Sequence, residues 1–244
     1  MAKSRVVYVC QDCGSEQNRW AGQCPDCGAW NTLSQFVEAG APRGIGGARR
    51  GGYAGAVAGL QTLDQIDLAE VPRFSTGYTE FDRVLGGGVV PGSVNLIGGQ
   101  PGAGKSTLLL QVMCALSQQM ETLYVTGEES LQQVALRAHR LGLPTDRLKM
   151  LAETSVESIL ATAAKLAPRV MVIDSVKVVH CEDVPSAPGG VAQVRESAAQ
   201  FTRFAKAGGA SMFLVGHVTK DGTLAGPKVL EHIIDCSIML EEEG

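Results

Sequence analysis

The decapeptide GGQPGAGKST, residues 98–107, holds a glycine, four intervening residues and then Gly-Lys-Ser. Before it, SVNLIGG is a short apolar run ending in glycine. After it, KSTLLLQVMCALSQQ carries helical periodicity. A glycine-rich turn between a strand and a helix wraps backbone N–H groups around an oxyanion at the positive end of the helix. Gly99, Gly102 and Gly104 give the backbone its freedom, and Gln100, Pro101 and Ala103 complete the turn. Lys105 reaches the β- and γ-phosphates of a nucleotide. The Ser106 hydroxyl can ligate Mg2+, with Thr107 offering a second hydroxyl beside it. A phosphate cradle of this kind presupposes a sheet whose strand ends surround it.

The rest of the chain supplies that sheet. TLYVTGEES reads as a strand with polar residues at its end and LQQVALRAHRLGL as a helix. RVMVIDSVKVV is a β-branched buried strand, VAQVRESAAQFTRFAKAGG a long helix, and ASMFLVGHVTK a further strand. The alternation predicts an α/β fold with a mostly parallel sheet covered on both faces. Asp174 closes VMVID, where it can hold the Mg2+ shell. Glu128 and Glu129 follow TLYVT, where one carboxylate suffices to orient water onto a γ-phosphate. Glu128 is favoured as nearer the strand, with Glu129 the alternative. His217, at a third strand end, reads either as a γ-phosphate sensor or as a packing residue.

Ahead of this core stands CQDCGSEQNRWAGQCPDCG, with pairs Cys10/Cys13 and Cys24/Cys27, each pair followed by glycine. Two such turns give four thiolates to one tetrahedral ion, and Gly14 and Gly28 permit the chain to bend around it. Zinc is favoured over disulfides, and iron at rubredoxin-like spacing stays open. A segment of about 30 residues buries too little to fold alone, so the metal supplies its folding energy. Trp20 and Trp30 either pack the knuckles or stack on a base. Cys114, Cys181 and Cys236 read as core or loop residues. Residues 1–36 are expected to be the zinc ribbon, 37–62 a flexible Gly/Ala-rich linker, and 63–244 the α/β domain.

The net charge of −4 argues against chain-wide nucleic-acid affinity. The balance is uneven: residues 1–50 hold six Lys/Arg and four Asp/Glu, and the remainder is 15 against 21. A weakly basic head on an acidic body permits a local nucleic-acid contact. No signal-peptide pattern or membrane-length apolar run is seen, so a cytoplasmic chain with reduced thiols and no membrane partner is expected.

The strings RWAGQCPDCGAWNT, RFSTGYTEFDRVLGGGVVPGS, GGQPGAGKSTLLLQ, YVTGEESLQQVALRAHRLGL and VGHVTKDGTLAGPKVLEHIIDC together resemble the bacterial RadA (Sms) DNA-repair ATPases. The resemblance covers essentially the whole chain. It implies a C4 zinc finger and a RecA-like P-loop ATPase core that assembles into homo-hexameric rings. It also implies DNA-stimulated ATP hydrolysis on single-stranded or branched DNA, and branch migration beside the RecA recombinase. Cys10, Cys13, Cys24 and Cys27 match the zinc ligands, Gly99 to Thr107 the Walker A loop, and Asp174 the Walker B aspartate. Glu128 matches the catalytic glutamate and His217 the γ-phosphate sensor. CEDVPSAPGGVAQVRE and TKDGTLAGPKVLE match the two DNA-facing loops, with Arg195, Lys220 and Lys228 as the phosphate-contacting charges.

Two departures qualify the resemblance. Lys177 stands where the family usually has glutamine. Family members also continue past SIMLEEEG into a Lys-Asn-Arg-Phe-Gly motif and a Lon-protease-like domain, neither of which lies within these 244 residues. Two alternatives to a working motor therefore stay open: a nucleotide-switched scaffold, and a fragment that binds ATP, Mg2+ and Zn2+ with little motor activity.

Overall fold

The computed structural model describes residues 5–10, 12, 14–38, 62, 73–208, 210–216, 230 and 232–241. The ribbon is a three-stranded antiparallel sheet of β1 (Arg5–Cys10), β2 (Glu16–Gln17) and β3 (Leu33–Glu38), in the order β2-β1-β3. Its buried centre is Cys10, Cys24 and Leu33, with Tyr8 and Ala21 packed against them. A sheet of this size is of the kind that a bound metal commonly stabilises.

The core follows with α1 (Thr79–Val84), β4 (Val94–Gly99), α2 (Lys105–Ser117), β5 (Thr122–Thr126), α3 (Leu131–Arg140), β6 (Lys149–Ala152) and α4 (Val156–Leu166). It closes with β7 (Val170–Asp174), α5 (Val191–Gly208), β8 (Ser211–Val215) and β9 (Cys236–Leu240). Six strands form one sheet in the order β6-β5-β7-β8-β4-β9, and every pairing is parallel. The expected α/β architecture is therefore observed. β8 lies between β4, which leads into the phosphate loop, and β7, which ends in Asp174.

The four central strands are buried along their whole length, as parallel strands covered on both faces must be. Their side chains alternate strictly. Leu96, Leu123, Val125, Met171, Ile173, Met212 and Leu214 meet α4 and α5. Ile97, Tyr124, Val170, Val172, Phe213 and Val215 meet α1, α2 and α3 on the opposite face. Each full burial of a large apolar side chain contributes roughly 1.5–3 kcal/mol.

RVMVIDSVKVV, read as one strand, stops at Asp174. After it the backbone turns, Val176 donating to the Val215 carbonyl and Val178 to that of Ser175. Val176 and Val179 are buried all the same, so their apolar character reflects packing beneath a turn rather than a longer strand.

Candidate functional site

The loop geometry follows from its glycines. At Gly99 the backbone has φ 149°, and a Cβ there would lie 2.6 Å from the Leu240 carbonyl oxygen of neighbouring β9. The end of β4 is thus pressed against β9, and only glycine fits. Gly102 and Gly104 have φ 91° and 86° with open space around them, so there the backbone conformation alone selects glycine. Gly104 begins α2 with no side-chain cap and no acidic residue in the first turn. The leading N–H groups of a long buried helix therefore face the loop with no acidic side chain of the helix's own first turn competing for them.

Lys105 is buried, and its ammonium donates to the Gly99 and Gln100 carbonyls at 2.8 and 2.7 Å. Burial pulls its pKa below the ordinary lysine range, against the opposing pull of the Asp174 and Glu128 carboxylates. Asp174 is buried as well. Burial pushes its carboxyl up, and hydrogen bonds from the Tyr124 hydroxyl, at 2.6 Å, and from Ser106 oppose that rise. A Mg2+ entering here would meet two hard oxygen donors already in contact, Ser106 and Asp174, which is the donor chemistry it requires.

The two glutamates occupy different settings. Glu128 accepts a short hydrogen bond from the Ser175 hydroxyl, directly after Asp174. Glu129 forms an ion pair with Arg137 of α3. Its backbone is tied to Thr126, whose hydroxyl donates to the Glu129 carbonyl at 2.8 Å and accepts from its N–H at 3.2 Å. α3 starts at once from a reciprocal capping box between Ser130 and Gln133, which fixes the helix that carries Arg137. A cleft of ≈ 370 Å³, lined in part by Thr126, Glu128, Glu129, Glu153 and Thr154, adjoins this turn.

Between Asp174 and α5 the chain forms a segment fastened by Gln193. The Gln193 side chain accepts from Cys181 N–H at 2.8 Å and donates to the Cys181, Val184 and Ser186 carbonyls at 3.2, 2.9 and 3.0 Å. The stem of Lys177 lies against Gly189 in the same segment, and Arg195 is half-buried one turn into α5. His217, Lys220 and Lys228 lie outside the described residues, as do Cys13 and most of the 37–62 linker.

Sequence reasoning passed over Tyr124, Ser175, Arg137 and Gln193. Only Tyr124 carried a signal, being a phenol in an otherwise apolar buried strand, a group that normally has a hydrogen-bond partner.

In the ribbon the two Cys-x-x-Cys turns share a hydrogen-bond pattern at their described residues. Cys10 N–H donates to the Ser15 carbonyl and Gly14 N–H to that of Cys10; Cys24 N–H donates to Ala29 and Gly28 N–H to Cys24. Gly14 and Gly28 have φ 73° and 74°. The Cys10, Cys24 and Cys27 sulfurs lie within 4.8 Å of one another, and Cys10 and Cys27 are 3.7 Å apart. That is the sulfur spacing of a tetrahedron with metal–sulfur bonds of about 2.3 Å, and it is far beyond a disulfide bond of about 2.05 Å. The three residues fit a zinc site. Trp20 and Trp30 are 58% and 70% exposed, and both rings reach Gly22 rather than a buried centre. Burial pushes the Cys114 and Cys181 thiols up to about 11, as expected of inert core cysteines.

Comparison with known proteins agrees with this geometry. Residues 73–223 match the family model described as AAA domain, and residues 8–35 match the one described as Rubredoxin metal binding domain. The chain is 63% identical, over its whole length, to DNA repair protein RadA of Escherichia coli (strain K12), covering 54% of that protein. It is 46% identical to DNA repair protein RadA of Bacillus subtilis (strain 168), again over its whole length and 53% of the relative. The chain thus spans about half the length of the curated relatives it matches, and these carry the name of the group that the sequence resembles. No helix among the described residues is long and apolar enough to cross a membrane.

Proposed function

The chain belongs to the AAA domain family, and from that premise we propose that it is a DNA-stimulated ATP hydrolase of recombinational DNA repair. The observation that carries this reading is the convergence of Lys105, Ser106, Asp174 and Glu128 at the ends of β4, β5 and β7. Lys105 neutralises charge on the β- and γ-phosphates, and the α2 N-terminus holds them. Ser106 and Asp174 hold Mg2+, which when bound polarises the phosphoryl oxygens. Glu128, oriented by Ser175, accepts a proton from the attacking water. Glu129 is engaged by Arg137 and does not compete for that role.

The remaining expectations follow from the resemblance of the sequence. The ribbon (1–36), tether (37–62) and core (63–244) act in a cytoplasmic homo-hexameric ring. Arg195, Lys220 and Lys228 contact the phosphates of single-stranded or branched DNA, His217 senses the γ-phosphate, and the ring drives branch migration beside RecA. The metal of the ribbon is Zn2+.

The test is ATP hydrolysis by the zinc-loaded chain with and without single-stranded DNA. Stimulation that weakens steeply with salt is the expected result. Glu128→Gln is expected to abolish hydrolysis while keeping nucleotide bound. Nucleotide binding with no hydrolysis under either condition overturns the motor reading and leaves a nucleotide-switched scaffold.

A further inference from the structure

We propose that Tyr124 is the positioning residue for Asp174, its phenol holding the carboxylate in the orientation in which Asp174 and Ser106 receive a divalent cation. The inference rests on the reading of the loop as an ATP–Mg2+ site. It goes further by assigning a residue that touches neither nucleotide nor metal.

Three observations carry it. The β5–β7 register pairs Tyr124 with Val172 and Thr126 with Asp174, so Tyr124 and Asp174 rise from neighbouring strands on the face that bears α2. Tyr124 lies two residues, roughly 6.6 Å, before the level of Asp174, and its hydroxyl bridges that gap to the Asp174 Oδ2 at 2.6 Å. Both side chains are buried, so the bond is shielded from competing water. Ser106 also bonds the carboxylate, from α2. Asp174 is therefore held from the sheet on one side and from the phosphate loop on the other. If Ser106 turns to a cation, Tyr124 is what remains to keep the carboxylate from swinging. A phenylalanine would fill the same space against α2 and the strands, so packing alone does not require the hydroxyl.

The experiment measures binding of a fluorescent ATP analogue to the zinc-loaded full chain, with and without Mg2+. The wild type is expected to bind more tightly with Mg2+. Tyr124→Phe is expected to keep the Mg2+-free affinity and to lose roughly 10- to 100-fold of the Mg2+-dependent gain, the usual effect of removing a partner of a metal ligand. In an Asp174→Asn background the same substitution is expected to change nothing further. Paramagnetic resonance of Mn2+ in place of Mg2+ gives an independent reading of cation affinity.

An unchanged Mg2+-dependent gain in Tyr124→Phe overturns the inference while leaving the nucleotide site intact. Equal loss of affinity with and without Mg2+ also overturns it, because that is the mark of a purely structural role. A wild-type chain that binds no nucleotide overturns the functional reading, and this inference with it.

Discussion

The ribbon and the α/β core reach a folded state by opposite means. Among its described residues the ribbon clusters Cys10, Cys24 and Leu33 at its centre, and the Cys10, Cys24 and Cys27 sulfurs stand at the spacing of a metal tetrahedron. The core buries two apolar layers, one on each face of a six-stranded sheet. In the core, burial is spread over dozens of side chains; in the ribbon, a metal held by the cysteines would supply the folding energy. The lesson is that a ligand-held unit has a single point of failure, whereas the core loses stability in increments.

Removing the metal is the most severe test of that contrast. Structural zinc contributes roughly 10–16 kcal/mol to small finger domains. Chelation, or Cys24→Ser, is therefore expected to unfold the ribbon completely and leave the core melting temperature in place. Calorimetry with a colorimetric zinc assay reads both; a core transition that falls with zinc would break the comparison. Next in size is Phe213→Ala, which empties a fully buried site facing Phe81 at a ring distance of 5.8 Å. It should cost about 3–5 kcal/mol in denaturant unfolding of the core, with zinc affinity unchanged.

Smaller effects probe the core's increments. Ser130→Ala removes half of the capping box of α3 and is expected to cost about 1 kcal/mol in the same unfolding measurement. The smallest concerns Glu153. Backbone N–H groups of Ser155 and Thr154, donating to its carboxylate, hold its pKa below the ordinary glutamate value. A depressed folded-state pKa stabilises the fold above the unfolded value and loses that contribution as pH falls through the folded one. Glu153→Gln should slightly flatten the acid limb of the core's stability below about pH 4.3, measured as melting temperature against pH. Glu153 is partly exposed at the cleft edge, so solvent screening keeps the change a minor fraction of the cap effect.

What was legible in the sequence divides along a physical line. The phosphate loop, the cysteine turns and the strand-end carboxylates are local: spacing and glycine content place them before any tertiary contact forms. The parallel sheet followed from β-branched apolar runs separated by helical periods. β6 and α4 left weaker traces, because Lys149–Ala152 is a four-residue edge strand with exposed ends. Tyr124, Ser175 and Arg137 act across elements, and their roles depend on strand register and helix phase. Trp20 and Trp30 show the same limit: the sequence left them either packing the knuckles or stacking on a base, and the fold puts both rings at the surface over Gly22.

Gln193 has one more consequence. The backbone of Cys181, Val184 and Ser186 is secured to α5 through a single amide group. Turning that one side chain about its own bonds releases these four backbone attachments together, while the Cys181 sulfur keeps its contacts with Ser197 and Gln200 and His180 stays paired with Thr154 and Val156. The stretch between the Asp174 strand and α5 is thus pinned on two sides, His180 to the start of α4 and residues 181–186 to α5, with one amide gathering most of the second set.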